Sequence, residues 1–382
     1  MAVIIDGDLG IDKIKDGSVT SSDLASTVAL GVRNLIINGD MQIAQRGASA
    51  TGLTNGSTGY HTVDRFQFVE SGSPTSVWTM SQDTNVPSGY GFANSLKLQC
   101  TTAQSSIGAS DSLYIFHKIE GQNLQHLKFG TVSAESLTLS FWVKSNKTGT
   151  YIAELYQTDA TRAVSYAYTV SSADTWEKKT ITYVGDTSGQ IDNNNGTGLQ
   201  IAFWLATGTD RSSGTLATSW ATVNNPDRAV GQVNLGDSTS NYISITGVQL
   251  EVGDAASDFE FMPYDMELAR CQRYYYKMSG GAQYLRFATG FVGAGSTTTL
   301  YCYFHPKVAM RATPTSIDWN PAIGVWNGGS LNAVSNITIE SNGSSGDSVN
   351  LVVTSSGLTA STPRILMGNN SSTASVAVSA EL

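Results

Sequence analysis

Period-two alternation dominates the chain. In residues 136–144, Leu137, Leu139, Phe141 and Val143 fall on one face, and Thr138, Ser140 and Trp142 on the other. That is the pattern of a half-buried strand. Leu199, Ile201, Phe203 and Leu205 alternate with Gln200, Ala202 and Trp204. Val164, Tyr166, Tyr168 and Val170 alternate with Ser165, Ala167 and Thr169, and Tyr151, Ala153 and Leu155 with Ile152, Glu154 and Tyr156. Turn-rich stretches at 145–149, 171–174 and 192–198 separate these runs. Many short strands so spaced predict a two-sheet antiparallel sandwich. Near residue 247 the pattern slips. Ile243 and Ile245 share one face, but past Gly247 the apolar positions are Val248, Leu250 and Val252. A β-bulge at Thr246–Gly247 returns both sets to one core, because one extra residue resets the inward face.

One segment reads as helix. Pro263 stops the preceding strand, Asp265 is placed to cap, and Leu268, Cys271 and Tyr275 lie at i, i+3 and i+7. Asp265 and Glu267 at its start, and Arg270 and Arg273 near its end, suit the helix dipole. A helix of two or three turns is expected within 265–276. From residue 280 the strand pattern resumes. Thr298, Leu300, Cys302 and Phe304 alternate with Thr299, Tyr301 and Tyr303, and Val349, Leu351 and Val353 form another face. Val376, Val378, Ala380 and Leu382 predict a strand reaching residue 382, its end packed, as in an oligomer.

Composition narrows the function classes. Only 14% of the 382 residues are charged, and Ser, Thr, Gly and Asn fill the deficit, a mix that favours strands and turns. The net charge of −9 argues against nucleic-acid binding. With no apolar run of about 18 residues, no membrane span is expected. MAVIIDGD has neither a basic n-region nor a long apolar h-region, so no signal peptide is expected. Cys100, Cys271 and Cys302 fit neither a disulfide framework nor zinc-ligand spacing and read as buried free thiols. His61, His117, His126 and His305 form no metal-binding pattern. Residues 1–33 carry short apolar steps between Asp-Gly turns and are too polar to fold alone.

No enzyme constellation stands out. There is no GxSxG elbow, P-loop or Rossmann fingerprint. Asp174, Asp186, Asp192, Asp210 and Glu251 are available acids, but no spacing selects a catalytic pair. Sugar recognition is a better physical fit. It uses flat aromatic faces against sugar C–H faces, and short amides against hydroxyls. Trp142, Tyr156 and Trp204 sit on the polar-alternating strand faces, either as platforms or packed under a loop or neighbouring subunit. Trp319, Asn320, Trp326 and Asn327 cluster in IDWNPAIGVWNGGS, a loop-like region suited to variable specificity.

Several blocks, in order, resemble a family of tailed-phage fibre and virion proteins: NLIINGDMQIAQRG (34–47), SLTLSFWVKSNKTGTY (136–151), GVQLEVG (247–253) and ELARCQRYYYK (267–277). The resemblance spans about residues 34–278 and is weaker to residue 382. It implies an all-β chain in four parts. Residues 1–33 are an attachment or oligomerisation arm and 34–255 a jelly-roll β-sandwich. Residues 256–279 are a linker with a short helix, and 280–382 a C-terminal β-sandwich-like tip. It further implies a non-enzymatic virion protein, a tail fibre made in the host cytoplasm. Such a fibre is a homotrimer that joins other tail proteins through 1–33 and binds host surface polysaccharide. A decoration protein that stabilises the particle and a glycan depolymerase are the alternatives. No cofactor is implied beyond a structural calcium. In carbohydrate-binding jelly rolls, which the domain also resembles, an acid near the first strand and one in the last hold such an ion. By position these are Asp40 and Glu251, although Gln249 stands where those modules often carry Asp.

Overall fold

A computed structural model describes residues 33–382. The expected arm, apart from Arg33, lies outside the described residues. Strands dominate, as the alternation predicted, and Tyr264–Gln272 is the one α-helix among the described residues.

Two antiparallel sheets form the jelly-roll sandwich. The first runs in the order Ser49–Leu53, Val77–Asp83, Ser95–Thr102, Tyr242–Val252, Leu137–Ser145 and Glu177–Tyr183. The second runs Ala221–Thr222, Arg162–Val170, Gly149–Gln157, Thr197–Thr207, Ser112–Glu120, Gln67–Ser71 and Gly59–Tyr60. Leu139, Phe141, Val143, Leu155, Val164, Ile201 and Phe203 meet between them and are fully buried. Each such side chain stabilises the fold by roughly 1.5–3 kcal/mol.

The predicted bulge is present. Thr246 opposes Trp142 and Gln249 opposes Ser140, so Gly247 and Val248 together face Phe141 alone. Gly247 adopts φ +61°, the left-handed conformation that a glycine-type bulge needs. Ile245 and Val248 consequently both enter the core.

The helix departs from expectation at both ends. Pro263, not Asp265, occupies the N-cap position, and no side chain caps it. Tyr275 is not helical. It opens the strand Tyr275–Ser279, which pairs with Ser375–Ser379. That strand in turn pairs with Ser316–Trp319, giving a three-stranded sheet. The strand expected to reach Leu382 therefore ends at Ser379: Ala380 still packs in the barrel-side core, and Glu381 and Leu382 turn onto Arg65 and Lys118 of the jelly roll. The sandwich-like C-terminal unit takes a more closed form. Arg286–Val292, Thr299–Phe304, Val349–Ser355, Leu331–Ile339, Ile323–Trp326 and Pro363–Gly368 close into a six-stranded barrel. Closure leaves no free edge in that sheet. The three cysteines are free and buried, as expected.

Buried polar contacts fix the two units together. Arg65, wholly enclosed, pairs with Glu381, donates to the Lys118 carbonyl at 2.8 Å and lies 3.5 Å from the Tyr274 ring centre. Arg46 also reaches Glu381, at 3.3 Å. Arg311 donates to the Asn195 carbonyl at 2.8 Å, and the Arg311 carbonyl accepts from the Asn195 amide at 2.6 Å.

Candidate functional site

The barrel exposes a row of aromatic rings. Leu300, Cys302 and Phe304 point inward, so Tyr301 and Tyr303 point outward. Register places Phe291 opposite Tyr301 and Thr289 opposite Tyr303. On the next strand Ile365 lies beside Thr289, and Trp326 beside Ile365. Phe291 is 62% exposed, Tyr303 55%, Tyr301 41% and Trp326 36%. Strands in a sheet lie about 4.8 Å apart, so Phe291, Tyr301 and Tyr303, on paired strands, form one neighbouring surface. Trp326, three strands from Thr299–Phe304 in the six-stranded closure, points out on the far side. The charged side chains of residues 280–382 balance: Arg286, Lys307, Arg311 and Arg364 against Asp318, Glu340, Asp347 and Glu381. The net charge of the chain therefore resides entirely before residue 280. Hydroxyl and amide residues, Thr289, Thr299, Asn336 and Thr338, share the outer surface. A ring-bearing surface with short polar groups, on a segment of no net charge, can stack on the C–H faces of a sugar while pairing with its hydroxyls.

Of the residues singled out in the sequence, Trp326 is exposed on the barrel, but on the side away from Tyr301 and Tyr303. Trp319 lies on the separate three-stranded sheet, half-buried against the barrel core. Asn320 and Asn327 shape their own turns. The Asn320 side-chain oxygen accepts from the Ala322 amide at 2.8 Å, and that of Asn327 from the Ser330 amide at 3.1 Å. Phe291, Tyr301 and Tyr303 were missed. The Thr299–Phe304 alternation carried the signal for the two tyrosines, since it set them opposite an aliphatic row.

On the jelly roll the expected platforms are largely covered. Trp204 is a correction: it is fully enclosed beneath residues 208–233 and presents no face to a ligand. Its indole N–H donates to Glu154 at 2.9 Å, and Arg228 grips the same carboxylate at 2.6 and 3.1 Å. Tyr156 stands half-buried beside this group, 5.4 Å from the Arg228 guanidinium. Trp142 faces outward but packs on Tyr90, with ring centres 4.3 Å apart, under the segment between Asp83 and Ser95. Next to it Phe92, Phe259 and Phe261 form a second aromatic group.

Asp40 and Glu251 do not fit a calcium site. Glu251 already accepts from the Gln249 amide at 2.9 Å, the Ser257 backbone at 2.8 Å and the Ser257 hydroxyl at 2.7 Å. Asp40 bonds Gln42 instead, and burial raises its pKa. A calcium ion needs six to eight oxygens, and no group of three or more His, Cys, Asp or Glu gathers among the described residues. Among the acids considered for catalysis, Asp186 is buried in an ion pair with Arg162 at 2.7 Å. No described helix is long and apolar enough to cross a membrane.

No family model matches the chain, and no curated protein matches it. Solved structures with local likeness include the enzymatically active domain of bacteriophage CBA120 tailspike protein 4. It is 14% identical, with TM-score 0.31, over 58% of this chain and 21% of that one. The matched part is thus about a fifth of the tailspike's length. A putative sugar binding protein from Bacteroides thetaiotaomicron is 13% identical, with TM-score 0.32, over 58% and 100%. A family 11 carbohydrate-binding module of a cellulosomal cellulase of Clostridium thermocellum is 12% identical, with TM-score 0.27, over 55% and 99%. Likeness this distant does not bear on what the chain does.

Proposed function

We propose that this chain is a structural protein of a tailed-phage particle, a tail fibre, which holds host-surface glycan on the outer face of its barrel without cleaving it. The observation that carries the reading is the uncovered group of Phe291, Tyr301 and Tyr303 on a closed, rigid support. Rigid aromatic anchors lose little entropy on binding, which suits them to repeated weak contacts. The ordered sequence blocks that resemble phage fibre proteins support the virion setting. In that setting residues 1–33 attach the chain, and three copies associate.

The test is binding of labelled full-length protein to host cells and to their purified polysaccharide. A Phe291→Ala/Tyr303→Ala variant removes two outward rings whose loss disturbs no core packing. At about 1 kcal/mol per ring, binding weakens about thirtyfold while the melting temperature stays put. Undiminished binding rejects the barrel face as the site. Steady release of oligosaccharides from the polysaccharide moves the protein to the depolymerase class. Failure to find it on intact particles by immunoelectron microscopy rejects the virion assignment.

A further inference from the structure

A cavity of about 330 Å³ opens where the jelly roll meets the helix, well outside the ring-bearing barrel face. This size is at the lower end of small-molecule sites, which span about 300–1,000 Å³. His117, Lys118, Asn123, His126, Arg270 and Arg273 supply its polar lining, and Leu35 and Ile119 an apolar wall. None of the described residues lining it is acidic. The two guanidiniums are held in place by other groups. Glu120 takes Arg273 through paired bonds of 2.7 and 2.8 Å, and Arg270 reaches Glu267 at 3.2 Å and the Asn34 carbonyl at 3.4 Å. Guanidiniums so braced are preorganised, although the bidentate edge of Arg273 is taken by Glu120, so that a ligand would meet it end-on.

Glu120 and Glu267 offset the charge of the two guanidiniums from outside the cavity lining. Burial, then Arg65 and Arg270, holds the His117 ring well below its usual pKa. Burial and Arg65 likewise lower Lys118, whose ammonium donates to the Leu382 carbonyl at 2.7 Å. His117 is almost wholly enclosed, with one ring nitrogen, Nδ1, lacking a partner. Asn123 and His126, on the short turns after the Ser112–Glu120 strand, are exposed at the mouth. A bare inorganic anion would leave the amide at the mouth and the apolar wall unused.

We propose that this cavity binds one acidic monosaccharide unit, its carboxylate toward Arg270 and Arg273 and its hydroxyls toward Asn123 and His126. The site is separate from the barrel rings, so it stands or falls independently of the function proposed above.

The test uses the full chain with isotope-labelled histidines, titrated separately with glucuronate, glucose and inorganic phosphate. Glucuronate shifts the His117 and His126 ring signals saturably, and glucose does not. An Asn123→Ala/His126→Ala variant, altered only at exposed positions, keeps its melting temperature and binds glucuronate about fivefold more weakly, read from the His117 signal. The Phe291→Ala/Tyr303→Ala variant binds glucuronate as the parent does. Unmoved histidine signals with glucuronate overturn the proposal, as do equal shifts with glucose. Saturation by phosphate without glucuronate overturns it in favour of a bare-anion site.

Discussion

Gly247→Ala puts a methyl group where the bulge leaves least room. The new Cβ would stand 2.6 Å from Phe92 Cζ and 3.2 Å from Trp142 Cδ1, and the backbone there has φ +61°. A left-handed alanine costs about 1–2 kcal/mol. Overpacking adds about 1–3 kcal/mol, reduced to the extent that the Phe92 ring yields. Alanine also lowers the entropy of the unfolded chain, which returns about 0.4–1 kcal/mol. The expected net loss is about 2–3 kcal/mol. Urea unfolding followed by tryptophan emission reads it, since five of the seven tryptophans (Trp78, Trp142, Trp176, Trp204 and Trp220) belong to the jelly roll. A cycle with Phe92→Ala separates the two causes: the steric part vanishes in the double variant, a coupling of about 1 kcal/mol or more, and the backbone part remains. A loss below about 0.5 kcal/mol, or no coupling to Phe92, would refute the reasoning.

Glu154→Ala strands Arg228 and the Trp204 indole N–H under residues 208–233, and should cost about 3 kcal/mol in thermal or urea unfolding; a near-neutral result would mean that water reaches the group. Burial raises the Asp64 carboxyl to about 6 from 3.8. The folded state therefore holds its proton more tightly than the unfolded chain, and this contribution to stability falls as pH rises from about 4 to 6, by about 3 kcal/mol in all. Asp64→Asn should accordingly gain on the parent between pH 4.5 and 7, whatever its constant offset; parallel stability curves would exclude the shift. Burial pushes Cys100 up to about 11 and Cys302 up to about 12, and it raises Cys271 as well. A thiol reagent at neutral pH should find no reactive cysteine in the native protein and three after denaturation; rapid native labelling would show that one of these sites opens.

Elements written in local periodicity were readable in advance. Leu137 to Val143 declare their inward face without reference to any partner, and the slip at Gly247 declares the bulge. What depended on distant residues was not readable. Tyr275 continues a helical spacing, yet Ser379 recruits it into a strand, because a long-range ladder outweighs a weak local preference. The Trp204 alternation placed its ring on an outer face correctly, but nothing periodic in residues 208–233 announced that they would cover it. Tyr301 and Tyr303 stood on the polar side of a visible alternation. That this side is bare, and that Phe291 joins it, follows from barrel closure and strand order. The pairing of Arg65 with Glu381, 316 positions apart, has no local trace at all.

The balanced charges of residues 280–382 give the molecule a direction. Of the net −9, residues 33–279 carry −6 and residues 1–32 the other −3, so the described part of the protein is electrically lopsided toward the jelly roll. Near an anionic surface the jelly-roll end is pushed away and the barrel end is not, so the approach itself exerts a turning force. Salt confines that force to the last 8–10 Å or so. Within this distance it favours encounters that bring the rings to the surface, before any ring has made contact.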